Sequence, residues 1–181
     1  MPGQYAKQLE DLKLLKELAA SADRDGIAAT DVTKLEALVY EVADIAGPLL
    51  NRIPQIFKHY TEHDIGHCRN IIDLMGRFIP ATTLQKMNAL ELSILILTAL
   101  LHDFGMFVSD EEKEAVLRNE ALPQFFASHQ ERWAAMKEAE RTDEKEKYET
   151  LRDALLADYF RRRHPERVSI LRCRRYHYLR R

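Results

Sequence analysis

The feature that most constrains the fold of this 181-residue chain is an almost wholly apolar stretch, residues 92–101, that ends in His102 and Asp103. Only Ser93 and Thr98 interrupt its leucines, isoleucines and alanines, so the pattern predicts a helix that is buried on most sides. The end of such a helix is unfavourable for a carboxylate, because the helix dipole repels the charge and apolar surroundings remove its water. Asp103 therefore needs a cation nearby, and the adjacent His102 is a common metal-binding side chain. The sequence predicts a metal held at the end of a core helix.

The composition is that of a globular protein. Hydrophobic residues make up 46% of the chain and charged residues 31%, enough for one domain with a buried core and a polar surface. The longest apolar run has about ten residues, whereas a membrane-spanning helix needs about 20. Residues 1–10 lack the apolar segment of a secretory signal. The two cysteines imply no disulfide framework. We expect a cytoplasmic protein that does not interact with a membrane.

The charge is distributed unevenly along the chain. Residues 161–181 contain nine arginines and one acid, Glu166, so this tail carries +8 while the first 160 residues carry −10. A basic tail can neutralise the phosphates of a nucleic acid or of a small substrate. Arginine-rich termini are more often simply solvated, and we favour that interpretation. Nucleic-acid binding is therefore not expected.

Apolar residues recur at helical spacing through most of the chain, and no segment alternates with period two. The predicted fold class is all-α. A helix that begins near residue 30 should stop around Gly47 and Pro48, and the core helix should extend over about residues 88–104. Ser109 has the spacing of a capping box that opens another helix. Residues 133–163 are dominated by charge and predict exposed helices with a break near residues 141–143.

A second group of polar residues precedes the core helix. Thr61 and Asp64 have capping-box spacing, which predicts a helix that starts at Thr61. His63 and His67 would then lie four residues apart on one helical face. Two imidazoles at this spacing can share a metal, or one can bind the metal while the other faces a substrate. His102 follows His67 by 35 positions, enough for two antiparallel helices whose ends meet.

This arrangement resembles the HD superfamily of metal-dependent phosphohydrolases, in which a histidine opens one helix and an adjacent His-Asp ends an apolar helix. It is most similar to bacterial HD-type domains found next to a chaperone-like GHKL ATPase, which have Thr-x-His-x-x-x-His, Leu-His-Asp-Ile-Gly-Met-like and Arg-x-x-His-x-x-Arg segments. The similarity covers about residues 56–167. It implies an HD-domain-like helical bundle at residues 48–167, preceded by a helical extension at 1–47 and followed by a basic, unstructured or non-native tail at 168–181.

The resemblance also implies a site. The metal ligands would be His67, His102, Asp103 and His164; the catalytic residues would be His63 and Asp103; and the substrate phosphate would contact Arg163 and Arg167. The cation would be Mn, Mg, Fe, Ni or Zn, and the substrate a nucleotide or another small phosphate ester, cleaved by metal-activated water. In cyclic-nucleotide phosphodiesterases the histidine equivalent to His63 is the proton donor to the leaving oxygen.

One departure from the family pattern bears on activity. The last ligand of the family is a distant Asp, and this chain has no Asp after Asp158. Either Asp153 or Asp158 supplies that ligand from an unusual position, or the HD domain is truncated at its C-terminus. We favour truncation of a longer parent chain, which could carry the chaperone-like ATPase domain. The alternative function is a non-catalytic HD-like module for sensing or interaction, inactive because the final Asp is missing.

Overall fold

The computed structural model describes residues 3–22, 28–57, 63–118, 125 and 129–173, and within these it contains helices and no strand. The α-helices are α1 (Lys13–Ala20), α2 (Ala29–Leu50), α3 (Ile53–Ile56), α4 (Ile65–Phe78), α5 (Ala81–Leu84), α6 (Ala89–Leu101), α7 (Asp110–Leu117), α8 (Gln130–Arg141) and α9 (Lys145–Cys173). The predicted all-α class is confirmed. Helix α9 includes the first residues of the predicted tail, and residues 174–181 lie outside the described part of the chain.

The first of two compact units comprises Met1–Arg52 and Glu62–Phe104. Its helices α1, α2, α4 and α6 all pack against one another. The side chains buried most completely include Leu14, Leu18, Leu50, Ile72 and Leu92. Burial of each such side chain contributes about 1.5–3 kcal/mol relative to leaving it exposed. This core holds the beginning of α4 and the end of α6 in fixed positions within the unit.

Helix α6 is the predicted core helix. It begins with a capping box, in which the Asn88 side chain accepts from the Glu91 N–H while the Glu91 side chain accepts from the Asn88 N–H. Its inner face is buried, but Leu90 and Ile94 are 56% and 54% exposed, so the prediction of burial on most sides is wrong for one face. The stretch Ala89–Met106 is apolar enough to cross a membrane by length and composition, and half of it is buried in the protein. A core helix passes the same test.

Helix α2 corrects another prediction, because it continues through Gly47 and Pro48 to Leu50. Proline has no N–H to donate to the carbonyl four residues earlier, so α2 lacks that one bond in its last turn. The carboxylate of that earlier residue, Asp44, binds the N-terminal segment. It accepts backbone N–H bonds of 2.7, 3.1 and 3.1 Å from residues 3, 5 and 6. The start of the chain is thereby attached to α2, while the predicted domain boundaries stay a prediction.

The second unit comprises Ile53–Thr61 and Gly105–Arg181. Ser109 caps α7 by accepting from the Glu112 N–H, as predicted. Helices α8 and α9 pack against each other. The break between them is confirmed, and there Asp143 adopts a left-handed conformation with φ of 57°. Their buried apolar side chains include Met136, Ala139, Leu155 and Leu156.

Candidate metal centre

The candidate site begins at the amino end of α4. Asp64 is the N-cap of this helix, and its Oδ1 accepts from the His67 N–H at 2.9 Å. The predicted start at Thr61 is therefore wrong for the described helix, and Thr61 itself lies outside the described residues. A Cβ on Gly66 would lie only 3.1 Å from Asp64 Oδ1, so the glycine leaves room for the capping carboxylate. The sequence Asp64–His67 thus fixes the backbone that carries a candidate ligand.

This helix start changes the relationship between the two histidines. His63 precedes the N-cap, so it does not share a helical face with His67 as predicted. The turn of the chain nevertheless brings the imidazoles together, with 5.2 Å between ring centroids in an edge-to-face arrangement. The predicted proximity is present, although the predicted reason for it is wrong.

The other half of the site lies where α6 ends. His102 occupies the C-cap position, and its Nδ1–H donates to the Ala99 carbonyl at 2.9 Å. Its other ring nitrogen, Nε2, lies 2.8 Å from Asp103 Oδ2. Asp103 is 6% exposed, and it is the one carboxylate in the buried class among the residues that the structure describes. A charge at this depth requires compensating partners.

Those partners are imidazoles that converge on one carboxylate oxygen. Besides the His102 contact, Asp103 Oδ2 lies 2.7 Å from His63 Nδ1 and 3.6 Å from His67 Nε2. His63, His67 and Asp103 each offer one candidate ligand atom. These three atoms lie within 4.8 Å of one another, a spacing that could hold a metal ion. The His102 ring borders this group, with its centroid 5.4 Å from that of His67.

The pKa shifts follow from these contacts. Burial alone would raise the pKa of Asp103, but hydrogen bonds from His102 and His63 outweigh it and lower the pKa to about 2. Hydrogen bonds to Asp103 and Cys68 raise the pKa of His102 to about 10. Burial lowers the pKa of His67, which favours the neutral imidazole that binds metal. Asp103 is therefore held as a carboxylate beside a protonated His102 when no cation is bound.

The remaining predicted site residues belong to α9, in the second unit. Arg163 donates to the Tyr159 hydroxyl, and His164 Nδ1–H donates to the Arg161 carbonyl at 2.6 Å. The guanidinium of Arg167 contacts Gly105, Phe107 and Glu112 of its own unit. Their predicted roles in metal and phosphate binding stay predictions.

The two aspartates considered as the final ligand also lie in the second unit. Asp153 accepts from its neighbour Arg152 at 3.0 Å, and Asp158 forms an ion pair with Arg132 at 2.9 Å. Within the described part of the chain, the group that could hold a metal contains the single carboxylate of Asp103.

Sequence reasoning missed the residues that support the ligands. Asp64 was expected only as the last residue of a capping box that begins at Thr61, although an Asp three residues before His67 is itself a recognisable capping signal. The Asn51 side chain accepts from the Ile65 N–H at 3.3 Å, and no local sequence signal indicates that contact. Cys68 is buried, and its Sγ lies 3.6 Å from the Leu100 carbonyl.

The chain matches one family model over residues 57–176, which is more than half of its length and includes both histidine segments. The chain belongs to the HD-CE family. This confirms the predicted HD-type domain. No curated protein matches the chain significantly, and no solved structure does. The HD-CE chain thus combines an HD-type domain with a His/Asp cluster that is compatible with a divalent metal.

Proposed function

We propose that this HD-CE protein is a metal-dependent phosphohydrolase that cleaves a nucleotide or another small phosphate ester. The observation that carries the proposal is the convergence of His63, His67 and His102 on one oxygen of the buried Asp103. Three imidazoles around one buried carboxylate are more ring nitrogens than a structural ion pair needs. Mixed nitrogen and oxygen donors are typical of catalytic divalent-metal sites.

The donor set fits a divalent cation. His63, His67 and Asp103 offer ligand atoms at mutual distances within 4.8 Å. His102 would take the place of His63 in this set through Nε2, because its Nδ1–H is already bonded to the Ala99 carbonyl. Such a set suits Mn, Mg, Fe, Ni or Zn. When bound, the cation supplies Lewis acidity that activates water and neutralises phosphoryl charge.

His63 is the residue that we propose as the proton donor to the leaving oxygen. Its Nδ1–H donates to Asp103 at 2.7 Å, which leaves Nε2 as the nitrogen that can exchange a proton. Its side chain is 21% exposed, so a substrate can reach the ring. The contact with Asp103 orients this imidazole.

A non-catalytic HD-like module is the second candidate function, and one observation favours it. Within the described residues, the group that could hold a metal has one carboxylate, while Asp153 and Asp158 bond to arginines of the second unit. A site with too few acidic ligands would bind a cation without supporting hydrolysis. Such a module would sense a ligand or couple to a partner, for which a chaperone-like ATPase domain and a cytoplasmic location remain our proposals.

Hydrolysis of phosphate esters separates the two functions. The purified protein would be assayed with nucleotides and generic phosphodiesters in Mn²⁺, with EDTA as the metal-free control. We expect hydrolysis that is abolished by EDTA and by Asp103→Ala. Asp73→Ala is the matched control, because Asp73 lies on α4 and pairs only with Arg77 among the ion pairs described. Metal binding without hydrolysis of any ester would support the non-catalytic module instead.

A further inference from the structure

The guanidinium of Arg167 is almost fully occupied by the protein. Its Nε donates to the Gly105 carbonyl at 2.7 Å, and Nη2 donates to the Phe107 carbonyl at 2.6 Å. Both terminal nitrogens also contact the two carboxylate oxygens of Glu112, one of them at 3.0 Å. The side chain is only 14% exposed, and its guanidinium lies 4.9 Å from the centre of the Phe160 ring.

The backbone that Arg167 holds is the segment that leaves the His-Asp doublet. Gly105 follows Asp103 by two residues, and the turn Phe104–Met106 is a short 3-10 helix. Carbonyls just beyond a helix end have no partner within the helix and need one from elsewhere. Arg167 provides donors for the carbonyls on both sides of Met106. The chain beyond Asp103 is therefore anchored rather than left as a free loop.

We propose that Arg167 is a positioning residue for the candidate metal centre, acting through residues 105–107 on the backbone that presents Asp103. The inference rests on the proposed function, because it assumes that Asp103 binds the cation. It assigns Arg167 a role that differs from the phosphate contact implied by its family motif. A guanidinium that already contacts two carbonyls and a carboxylate has little donor capacity left for a substrate.

The contact geometry requires arginine rather than any cation. The planar guanidinium presents five N–H donors in a fixed fork, whereas lysine is a compact charge that cannot reach acceptors on two sides at once. Arg167→Lys should therefore keep the positive charge near Glu112 and lose the hydrogen bonds to the two carbonyls. This predicts that the conservative variant fails to rescue the site.

The test is Mn²⁺ affinity of the full chain, measured by calorimetry for wild type, Arg167→Ala and Arg167→Lys. Loss of a residue that supports a metal ligand typically weakens affinity roughly 10–100-fold, and we expect that range for both variants. Arg161→Ala, an exposed arginine of the same helix, is the control that should bind like wild type. Glu112→Gln removes only the ion pair with Arg167 and should weaken Mn²⁺ binding less than Arg167→Ala does. It provides a second test of the proposal if Arg167→Ala does not fold.

A second measurement decides the inference without any metal. In EDTA, the nitrogen NMR signals of the His63, His67 and His102 rings report their contacts with Asp103, and Arg167→Lys should shift them while Arg161→Ala should not. Unchanged signals together with wild-type Mn²⁺ affinity would overturn the proposal. A raised KM for a phosphate ester with unchanged affinity and signals would also overturn it, in favour of direct phosphate binding. Wild type that binds no Mn²⁺ would refute the proposed function, and the ring signals would still test Arg167.

Discussion

The histidine cluster of the first unit and the Arg/His segment of α9 contain similar residue types but use them differently. At the ends of α4 and α6, ring nitrogens of His63, His67 and His102 surround the carboxylate of Asp103. On α9, the side chains of residues 163, 164 and 167 are bonded to a tyrosine hydroxyl, to backbone carbonyls and to a glutamate of their own unit.

The difference lies in what the neighbouring backbone offers. The basic groups on α9 are satisfied by the Tyr159 hydroxyl and the Arg161 carbonyl, and by acceptors of residues 105, 107 and 112. The cluster instead gathers several basic rings around one acid, so the donor atoms exceed what the protein needs for itself. A motif residue predicts ligand binding only where its polar atoms are not already used by the fold.

The largest expected effect is a difference in Mn²⁺ affinity between a variant of His67, in the cluster, and a variant of His164, on α9. His67→Ala removes a member of the cluster, and we expect Mn²⁺ affinity to fall beyond the roughly 10–100-fold loss typical of residues that only support a ligand. His164→Ala should have a smaller effect, because the His164 Nδ1–H already donates to the Arg161 carbonyl. Equal losses in the two variants, measured by calorimetry, would break the comparison. Loss of a second bound equivalent in His164→Ala would instead support its predicted role as a ligand.

The stability of the metal-free protein should depend on pH because of the ionisable groups in the histidine cluster. The pKa of His102, raised from 6.5 to about 10, contributes stability that is complete below pH 6.5 and is lost as the pH rises towards 10. The pKa of Asp103, lowered from 3.8 to about 2, contributes stability that is complete above pH 3.8 and is lost as the pH falls towards 2. The wild-type free energy of unfolding, measured with urea in EDTA, should exceed that of Asp103→Ala by the largest amount between pH 3.8 and pH 6.5. A constant difference across the pH range would contradict the ion pair.

The smallest effects concern the two N-caps. Asp64→Ala and Ser109→Ala each remove a side chain that accepts from a helix backbone N–H, and each should cost about 1 kcal/mol in free energy of unfolding. Only Asp64 accepts from the N–H of His67, so only Asp64→Ala should also weaken Mn²⁺ binding. Urea unfolding and metal titration of both variants check this pair. Equal metal affinities would mean that the cap does not position the ligand.

Much of this fold follows from local sequence signals. The almost wholly apolar stretch predicted α6, Ser109 predicted the start of α7, and the charged stretch near residue 142 predicted the break between α8 and α9. These features depend on residues close together in the chain. The convergence of His67 with the His102–Asp103 doublet could also be anticipated, because two antiparallel helices of that length bring their ends together.

The errors arose where two local signals competed or where a distant contact decided. Thr61 and Asp64 both suit an N-cap, and the structure uses Asp64. Pro48 signals a helix end, but α2 continues for two more residues and ends at Leu50. The contacts of Arg167 with Gly105 and Phe107 span about 60 positions, and the sequence carries no signal for them.

The most direct test of the central claim is the metal content of the protein after purification without chelators. Mass spectrometry would be applied to wild type, Asp103→Ala and the control Asp73→Ala. We predict about one divalent metal per chain in wild type and in Asp73→Ala, and none in Asp103→Ala, because Asp103 supplies the carboxylate on which the histidines converge. Metal-free wild type, or Asp103→Ala that retains its metal, would contradict the account.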